Sequence, residues 1–135
     1  MEKLPIFVYG TLKRGNSNHN YLLRDKFSFL DNGFIFGDLY YLGGFPGYVG
    51  TNDSKRRSDN CVHGEVVWIN DNLYEEVLKG IDMLEGYNSK DNKENNMYNR
   101  IKKKVFNRDG NFGYAWVYEW NRSVDGLKKI NNGCW

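Results

Sequence analysis

Short runs of β-branched and aromatic residues recur along the chain, and Gly, Asn and Asp residues separate them. This pattern is typical of strands joined by tight turns. The predicted strands fall within residues 5–9, 27–42, 62–69, 98–107 and 112–120. Gly33 and Gly37 interrupt the longest run and predict bulges or bends there. The chain is therefore predicted to be rich in β-structure.

One segment has the spacing of an amphipathic helix instead. Its apolar residues are Leu73, Val77, Leu78, Ile81 and Leu84, and its polar side carries Glu75, Glu76 and Lys79. The spacing predicts a helix over residues 73–84, with caps supplied by residues 70–72 and an end at Gly86. A second, short helix is predicted to run through residues 21–23, because residues 16–19 offer several N-caps.

Polar segments connect these elements. Residues 43–47 predict a sharp turn, residues 53–60 a polar excursion, residues 88–96 a mobile loop and residues 108–111 a hairpin turn. The sum is an α+β fold: a small mixed, nearly closed β-barrel of about six strands, with one main and one short flanking helix. Closure is expected because it removes exposed strand edges. The length of 135 residues predicts a single domain over residues 1–135.

Composition narrows the class of function. The formal net charge of +2 is too small to indicate nucleic acid or an anionic membrane as a partner. Cys61 and Cys134 have the spacing of neither a disulfide framework nor a zinc site, and His19 and His63 stand alone. Because no leader or membrane-spanning segment is evident, we expect a protein of the cytoplasm with reduced thiols.

Glu85 is the most informative single residue. On a continued helix it shares the inward face of Leu78 and Ile81. Burial and the negative end of the helix dipole would both raise the pKa of its carboxyl, which suits a general acid or base near neutral pH. Alternatively, the helix ends one residue earlier and Glu85 points to solvent.

The loop that follows the first strand is the second candidate. Residues 9–15 read YGTLKRG, and backbone N–H groups in such a Gly-bounded turn can form a concave site for an anion. An ordinary turn would have the same sequence features. A Walker loop is excluded, because its GK[ST] element is absent.

Taken together, these residues resemble a known family. Residues 7–15 read FVYGTLKRG, Asn18 and His19 follow, and Glu85 lies fifteen residues before Arg100. This order resembles the gamma-glutamylcyclotransferase-like superfamily, and most closely its gamma-glutamylamine cyclotransferase branch. The resemblance implies a small mixed barrel with flanking helices, in agreement with the fold predicted above.

The resemblance also implies an enzyme that needs no cofactor and no metal. The α-amine of a γ-glutamyl group would attack its own γ-carbonyl, releasing 5-oxoproline and the amine of the former amide, such as the lysine of γ-glutamyl-ε-lysine. Glu85 would be the catalytic base. Tyr9, Gly10, Thr11 and Leu12 would bind the substrate, and Tyr118 would add a hydroxyl contact. Tyr98 and Arg100 would have structural or supporting roles.

A different class of function stays open at this point. The same barrel could serve as a non-catalytic domain that binds a ligand or a protein. Residues 88–96 form a longer and more polar segment than in the family, so the rim of the pocket is expected to differ. We expect a small-molecule substrate, no nucleic-acid or membrane partner, and a monomer or weak dimer.

Overall fold

The computed structural model describes residues 3–50, 61–110 and 112–135. Its strands and helices, in chain order, are β1 Ile6–Val8, α1 Ser17–Leu22, β2 Phe27–Tyr41, β3 Pro46–Gly50, β4 Cys61–Ile69, α2 Tyr74–Glu85, β5 Tyr98–Phe106, β6 Phe112–Trp120 and β7 Lys128–Lys129. Short 3-10 turns occupy Asp71–Leu73 and Lys93–Asn95. The predicted polar excursion over residues 53–60 lies outside the described residues.

Five strands close into a barrel in the order β2-β4-β1-β6-β5, and β5 returns to β2 where Phe34 pairs with Phe106. Neighbouring strands are antiparallel except β1 and β6, which run parallel at Ile6 and Trp116. The strands β3 and β7 both pair with the last part of β2 and extend the sheet beyond the barrel. The predicted mixed α+β barrel is thus confirmed; the described residues form five barrel strands and two further strands, where about six strands were predicted.

The long strand β2 takes part in both the barrel and the extension. It pairs with β4 as far as Phe36 and with β3 from Gly37 onward. Gly37 has a positive φ of 148°, and a Cβ atom there would lie 2.4 Å from the ring of Tyr48. A larger residue would therefore be blocked at the point where β2 changes partner.

Gly33 does not form the predicted bulge. The register between β2 and β4 is unbroken there, and the one irregularity lies between Phe27 and Phe29. A Cβ atom on Gly33 would lie 3.0 Å from Val105 on β5, so this glycine permits the close approach of strands where the barrel closes.

Two hydrophobic cores share the barrel wall. One packs α2 against the outer face of the barrel, and Val8, Ile81 and Tyr98 belong to it. The other contains Phe7, Tyr9 and the remaining inward-facing residues of the barrel. Successive residues of β1 point to opposite faces, so the strand supplies both cores and is buried throughout.

The main helix begins one residue later than predicted, at Tyr74, and ends at Glu85. No side chain caps its N-terminus; the turn Asp71–Leu73 leads into it instead. Gly86 adopts the left-handed conformation with φ 66°, and its N–H bonds the carbonyls of Asp82 and Met83. The predicted helix end is thus confirmed, and the predicted side-chain caps are not present.

The loop predicted to be mobile is held by hydrogen bonds. The buried Asn96 accepts a bond from the N–H of Asn88 at 3.0 Å and donates one to Asn99 at 3.0 Å. Asn121 and Arg122 donate to the carbonyl of Asn96 from the opposite side. The polar composition of the loop could not predict this order, because one buried side-chain amide holds the loop and apolar contacts do not.

Among the described residues, no helix is long and apolar enough to cross a membrane. Neither Cys61 nor Cys134 forms a disulfide bond in the described part of the chain.

Candidate active site

A cavity of about 320 Å³ opens at the end of the barrel where β1 and β6 lead out of the sheet. All six residues predicted for the site line it: Tyr9, Gly10, Thr11, Leu12, Glu85 and Tyr118. They come from a loop, a helix and a strand that are far apart in the sequence. The structure therefore brings the predicted residues together in one place.

The loop after β1 makes a tight turn at the wall of this cavity. The N–H of Lys13 donates to the carbonyl of Gly10 at 3.1 Å and closes the turn. Gly10 is buried against Pro46, and a Cβ atom there would lie 2.6 Å from the Pro46 ring. Glycine is thus required at position 10 because the proline ring fills the space of a side chain.

Three side chains from other elements hold this loop. Asn18 of α1 donates from Nδ2 to the hydroxyl of Thr11 at 2.9 Å, and Nδ1 of the buried His19 bonds the carbonyl of Leu12 at 2.9 Å. A carbonyl only accepts, so the Nδ1 of His19 carries the proton. Glu65 of β4 accepts from both the backbone N–H and the Nε of Arg14, at 2.8 and 3.0 Å.

The clamped loop leaves backbone donors available. The N–H groups of Gly10, Thr11 and Leu12 bond no acceptor within residues 3–50, 61–110 and 112–135. Buried N–H groups without a partner are rare in folded proteins, and a ligand often satisfies such groups. Adjacent free N–H groups in a turn form a favourable site for a carboxylate or an oxyanion.

Glu85 is the last residue of α2 and faces the cavity. Its carboxyl makes no hydrogen bond or ion pair with any residue in the described part of the chain. Burial raises the pKa of the Glu85 carboxyl to about 7. The carboxyl is thus poised to exchange a proton with a ligand near neutral pH.

Two tyrosine hydroxyls fix the walls of the cavity. The hydroxyl of Tyr9 donates to the carbonyl of Tyr118 at 2.7 Å and accepts from the N–H of Tyr48 at 3.2 Å, which links β6 to β3. The hydroxyl of Tyr98 donates to the carbonyl of Pro46 at 2.8 Å. Burial, and after it the charge of Glu85, raises the pKa of Tyr98, so this tyrosine stays protonated.

The hydroxyl of Tyr118 has a partner of its own. It donates to Oδ1 of Asp82 at 2.6 Å, and Arg100 binds both carboxylate oxygens of Asp82 at 2.8 and 2.6 Å. The guanidinium of Arg100 also lies over the rings of Tyr87 and Trp116. This network ties the last turn of α2 to β5 and β6, one turn before Glu85, and so fixes the position from which Glu85 projects.

Comparison with known proteins identifies the family. Residues 6–135 match the family model described as gamma-glutamyl cyclotransferase, AIG2-like. The chain belongs to this family. It is accordingly an enzyme of the gamma-glutamylcyclotransferase type. The names of its relatives support cyclotransferase activity in general.

Three relatives illustrate the likeness. The chain is 36% identical to the gamma-glutamylcyclotransferase family protein YtfP of Escherichia coli strain K12, over 98% of this chain and 96% of that protein. It is 35% identical to the gamma-L-glutamyl-butirosin B gamma-glutamyl cyclotransferase of Niallia circulans, over 87% of this chain and 67% of the relative. The crystal structure of an AIG2-like protein from Mus musculus shares the fold, with a TM-score of 0.72 and 23% identity over 100% of this chain and 89% of that one.

Sequence reasoning missed several residues that line the cavity of this cyclotransferase or hold its walls in place. Asp82 lies three residues before Glu85, on the same helix face, and that spacing could have identified it. Tyr98, expected to have a structural role, has its ring in the lining of the cavity. Phe45 and Pro46, from the predicted turn over residues 43–47, line the cavity as well. Within the described residues, no three His, Cys, Asp or Glu side chains cluster as a metal site.

Proposed function

We propose that this cyclotransferase cleaves a γ-glutamylamine, such as γ-glutamyl-ε-lysine, into 5-oxoproline and the free amine. The observation that carries the proposal is the unpaired carboxyl of Glu85, in one cavity with the free N–H groups of Gly10, Thr11 and Leu12. The Glu85 carboxyl can transfer a proton, and the N–H groups of the loop can bind negative charge. Intramolecular cyclisation needs both of these functions.

Binding comes first in this mechanism. The free N–H groups of the loop donate to the α-carboxylate of the substrate or to the oxygen of the γ-carbonyl as it gains negative charge. The buried rings of Tyr9, Tyr98 and Tyr118 surround the glutamyl group and restrict its freedom. A folded glutamyl chain places the α-nitrogen against the γ-carbon, and holding that geometry supplies much of the rate enhancement.

Proton transfer follows. Glu85 accepts a proton from the α-ammonium, and the freed amine attacks the γ-carbonyl to form the N–C bond of the five-membered ring. The C–N bond to the leaving amine then breaks as Glu85 returns the proton to that nitrogen. The ring nitrogen loses its second proton in the same way, so 5-oxoproline is released with one N–H and the amine leaves as an ammonium ion. Atoms balance without water, because the α-amine replaces the departing amine. A pKa of about 7 suits both directions of transfer.

Release of 5-oxoproline tests this proposal directly. Wild type and Glu85→Gln would each be given γ-glutamyl-ε-lysine, γ-glutamyl-alanine and glutathione. We expect wild type to turn over γ-glutamyl-ε-lysine best and the variant to lose about 10³-fold in kcat, as for removal of a general base. Glutamine keeps the size of the side chain, so 5-oxoproline should still raise the melting temperature of the variant.

A different result would favour the other class of function. If wild type releases no 5-oxoproline from any of the three compounds but is stabilised by 5-oxoproline, the domain binds γ-glutamyl compounds without catalysis. A cytoplasmic location and a monomeric or weakly dimeric state remain predictions. Cell fractionation and size-exclusion chromatography would test them.

A further inference from the structure

A second cavity, of about 270 Å³, lies at the end of the barrel away from Glu85, and we call it the opposite cavity. Among the described residues, it shares no lining side chain with the candidate active site. Its most buried lining residues are apolar: Val66, Val105 and Ala115 are 7%, 6% and 0% exposed. A cavity of roughly 150 Å³ is already large enough for a benzene ring. The opposite cavity can therefore hold the apolar body of a small organic molecule.

Strand register places a carboxylate and an aromatic ring together at the exposed side of this cavity. Phe29 pairs with Trp68 and Asp31 pairs with Val66, so these four side chains lie on one face of β2 and β4. Asp31 and Trp68 are diagonal neighbours on that face, and such neighbours lie about 7 Å apart. Both residues line the cavity. The gap between them is wide enough for one ammonium group that touches the carboxylate and the ring.

The carboxylate and the ring both keep capacity for a ligand. Oδ1 of Asp31 accepts from the N–H of Asn32 at 2.8 Å, and Oδ2 has no partner in the described part of the chain. The ring of Trp68 packs on Phe29, with ring centres 5.1 Å apart, and Phe29 does not line the cavity. No lysine or arginine in residues 3–50, 61–110 and 112–135 lies over the ring of Trp68. Indole is the aromatic ring that attracts cations most strongly.

The charges around the opposite cavity favour a cation. Among the described residues that line it, Asp31 has the only charged side chain. Lys102 lies outside the lining, with its Nζ 5.0 Å from the ring centre of Tyr114. Arg108 and Asp109 line an adjoining depression, where their opposite charges offset each other, and neither forms an ion pair with Asp31 within the described residues. An anion in the cavity would meet the carboxylate of Asp31 without a cationic partner in the lining.

We infer that the opposite cavity is a second ligand site, and that it binds a small organic cation with an apolar body, such as an arylalkylammonium ion. The ammonium group donates to Oδ2 of Asp31 and lies against the ring of Trp68. The apolar body packs on Val66, Val105 and Ala115, where it is removed from water. Binding here uses none of the residues of the proposed reaction, so each proposal stands or fails without the other.

Three compounds of one shape test the selection for charge. 2-Phenylethylamine, 2-phenylethanol and 3-phenylpropionate share a phenyl ring and two methylenes, and they end in a cation, a neutral group and an anion. Each would be titrated into ¹⁵N-labelled wild type at pH 7, and NMR would follow the indole N–H of Trp68 and the backbone N–H of Asn32. We expect the amine to bind about tenfold more tightly than the alcohol, and the propionate to bind most weakly.

Variants separate the contributions of the carboxylate and the ring. Asp31→Asn keeps the size of the side chain and removes its charge, so the amine and the alcohol should bind equally. Asp109→Asn is the matched control, because Asp109 is exposed at the same end of the barrel but lines the adjoining depression instead. It should keep the tenfold preference. Trp68→Leu, followed at the N–H of Asn32, should weaken binding of the amine about fivefold more than binding of the alcohol.

The same spectra show which end of the barrel the amine occupies. Signals of Trp68 and Asn32 that move at lower amine concentration than those of Gly10 and Thr11 would support the second site. If the signals of the loop move first, the amine binds at the candidate active site and the assignment is wrong. Equal binding of the three compounds to wild type, or equal effects of Asp31→Asn and Asp109→Asn, would overturn the selection for a cation. An indole signal of Trp68 that does not move up to about 10 mM amine would show that the cavity is not a site.

Discussion

The two ends of the barrel hold cavities of similar volume, about 320 Å³ at the candidate site and about 270 Å³ at the opposite end. The opposite cavity lies where β1 and β6 begin, and it is lined by residues such as Asp31, Trp68 and Tyr114. Asp31 is exposed and accepts a bond from the N–H of its neighbour Asn32 at 2.8 Å. Glu85, in contrast, is sheltered and has no partner in the described part of the chain.

This difference shows that volume does not distinguish the site. At the candidate site, side chains of α1 and β4 hold the loop so that its N–H groups stay free for a ligand. At the opposite end, the carboxylate of Asp31 is exposed and accepts a bond from the neighbouring backbone N–H. What makes a cavity chemically capable is a set of unsatisfied polar groups that other elements hold in place.

The largest expected difference between the two ends is in how their carboxyl groups affect the pH dependence of kcat/KM. Because Glu85 has a pKa of about 7 and acts as a base, kcat/KM should rise with pH through that value and fall about tenfold per unit below pH 6. Asp31→Asn should leave this profile unchanged. The rate of 5-oxoproline release between pH 5 and pH 8 measures it. A flat profile would show that Glu85 is not the base.

The stability of the fold should also depend on the ionisation of Glu85, but it should fall as pH rises, whereas kcat/KM should rise. The pKa of Glu85 rises from 4.5 to about 7 on folding, so the folded state loses stability as pH rises from 4.5 to 7. Glu85→Gln should therefore increase the free energy of unfolding by about 3 kcal/mol at pH 8 and change it little at pH 4. Urea unfolding at both pH values would measure this. An equal gain at pH 4 would contradict the assignment of the pKa.

A pair of glycines compares packing at the two ends. Gly10→Ala places a methyl group against Pro46 and should cost about 2 kcal/mol of stability, because such overpacking forces the backbone to shift. Gly113, at the opposite cavity, has no atom within 4 Å of the place where a methyl group would stand, so Gly113→Ala should change stability by less than about 0.5 kcal/mol. Urea midpoints would separate them, and equal midpoints would contradict the tight contact at Gly10.

The smallest expected effect concerns the support of the loop. Asn18→Ala removes the bond to the hydroxyl of Thr11 and should cost about 1 kcal/mol of stability, with a loss of activity of a few fold. Asn32→Ala, an exposed asparagine at the opposite cavity, should be close to neutral. Melting temperature and 5-oxoproline release would be measured for both. An active, fully stable Asn18→Ala would show that the clamp is dispensable.

Most of the fold could be predicted from local patterns. The predicted helix is correct to within one residue at each end, because its apolar spacing and Gly86 are local signals. The sequence predicts a turn where β3 begins, because Pro46 and two glycines are poor strand formers. In the structure these residues form a strand because they pair with β2. The two-residue strand β7 likewise exists through its pairing with Tyr40 and Tyr41.

The candidate site could be predicted less completely. Glu85 and the loop over residues 9–12 carry signals of their own, a carboxyl on an apolar helix face and a glycine-bounded turn. The positions of Tyr98 and Asp82 depend on hydrogen bonds with residues distant in the sequence, Pro46 and Arg100 respectively. The predicted hydroxyl contact of Tyr118 with a substrate remains a prediction, and in the structure that hydroxyl binds Asp82.

The hydroxyl of Tyr9 has a consequence for how this site can move. Since it bonds β6 and β3 at once, the start of the loop cannot swing outward without separating two parts of the sheet. Local opening there should therefore require nearly the free energy of global unfolding. Hydrogen exchange of the Tyr48 amide should be correspondingly slow, and substrate must enter and leave a site whose floor stays rigid.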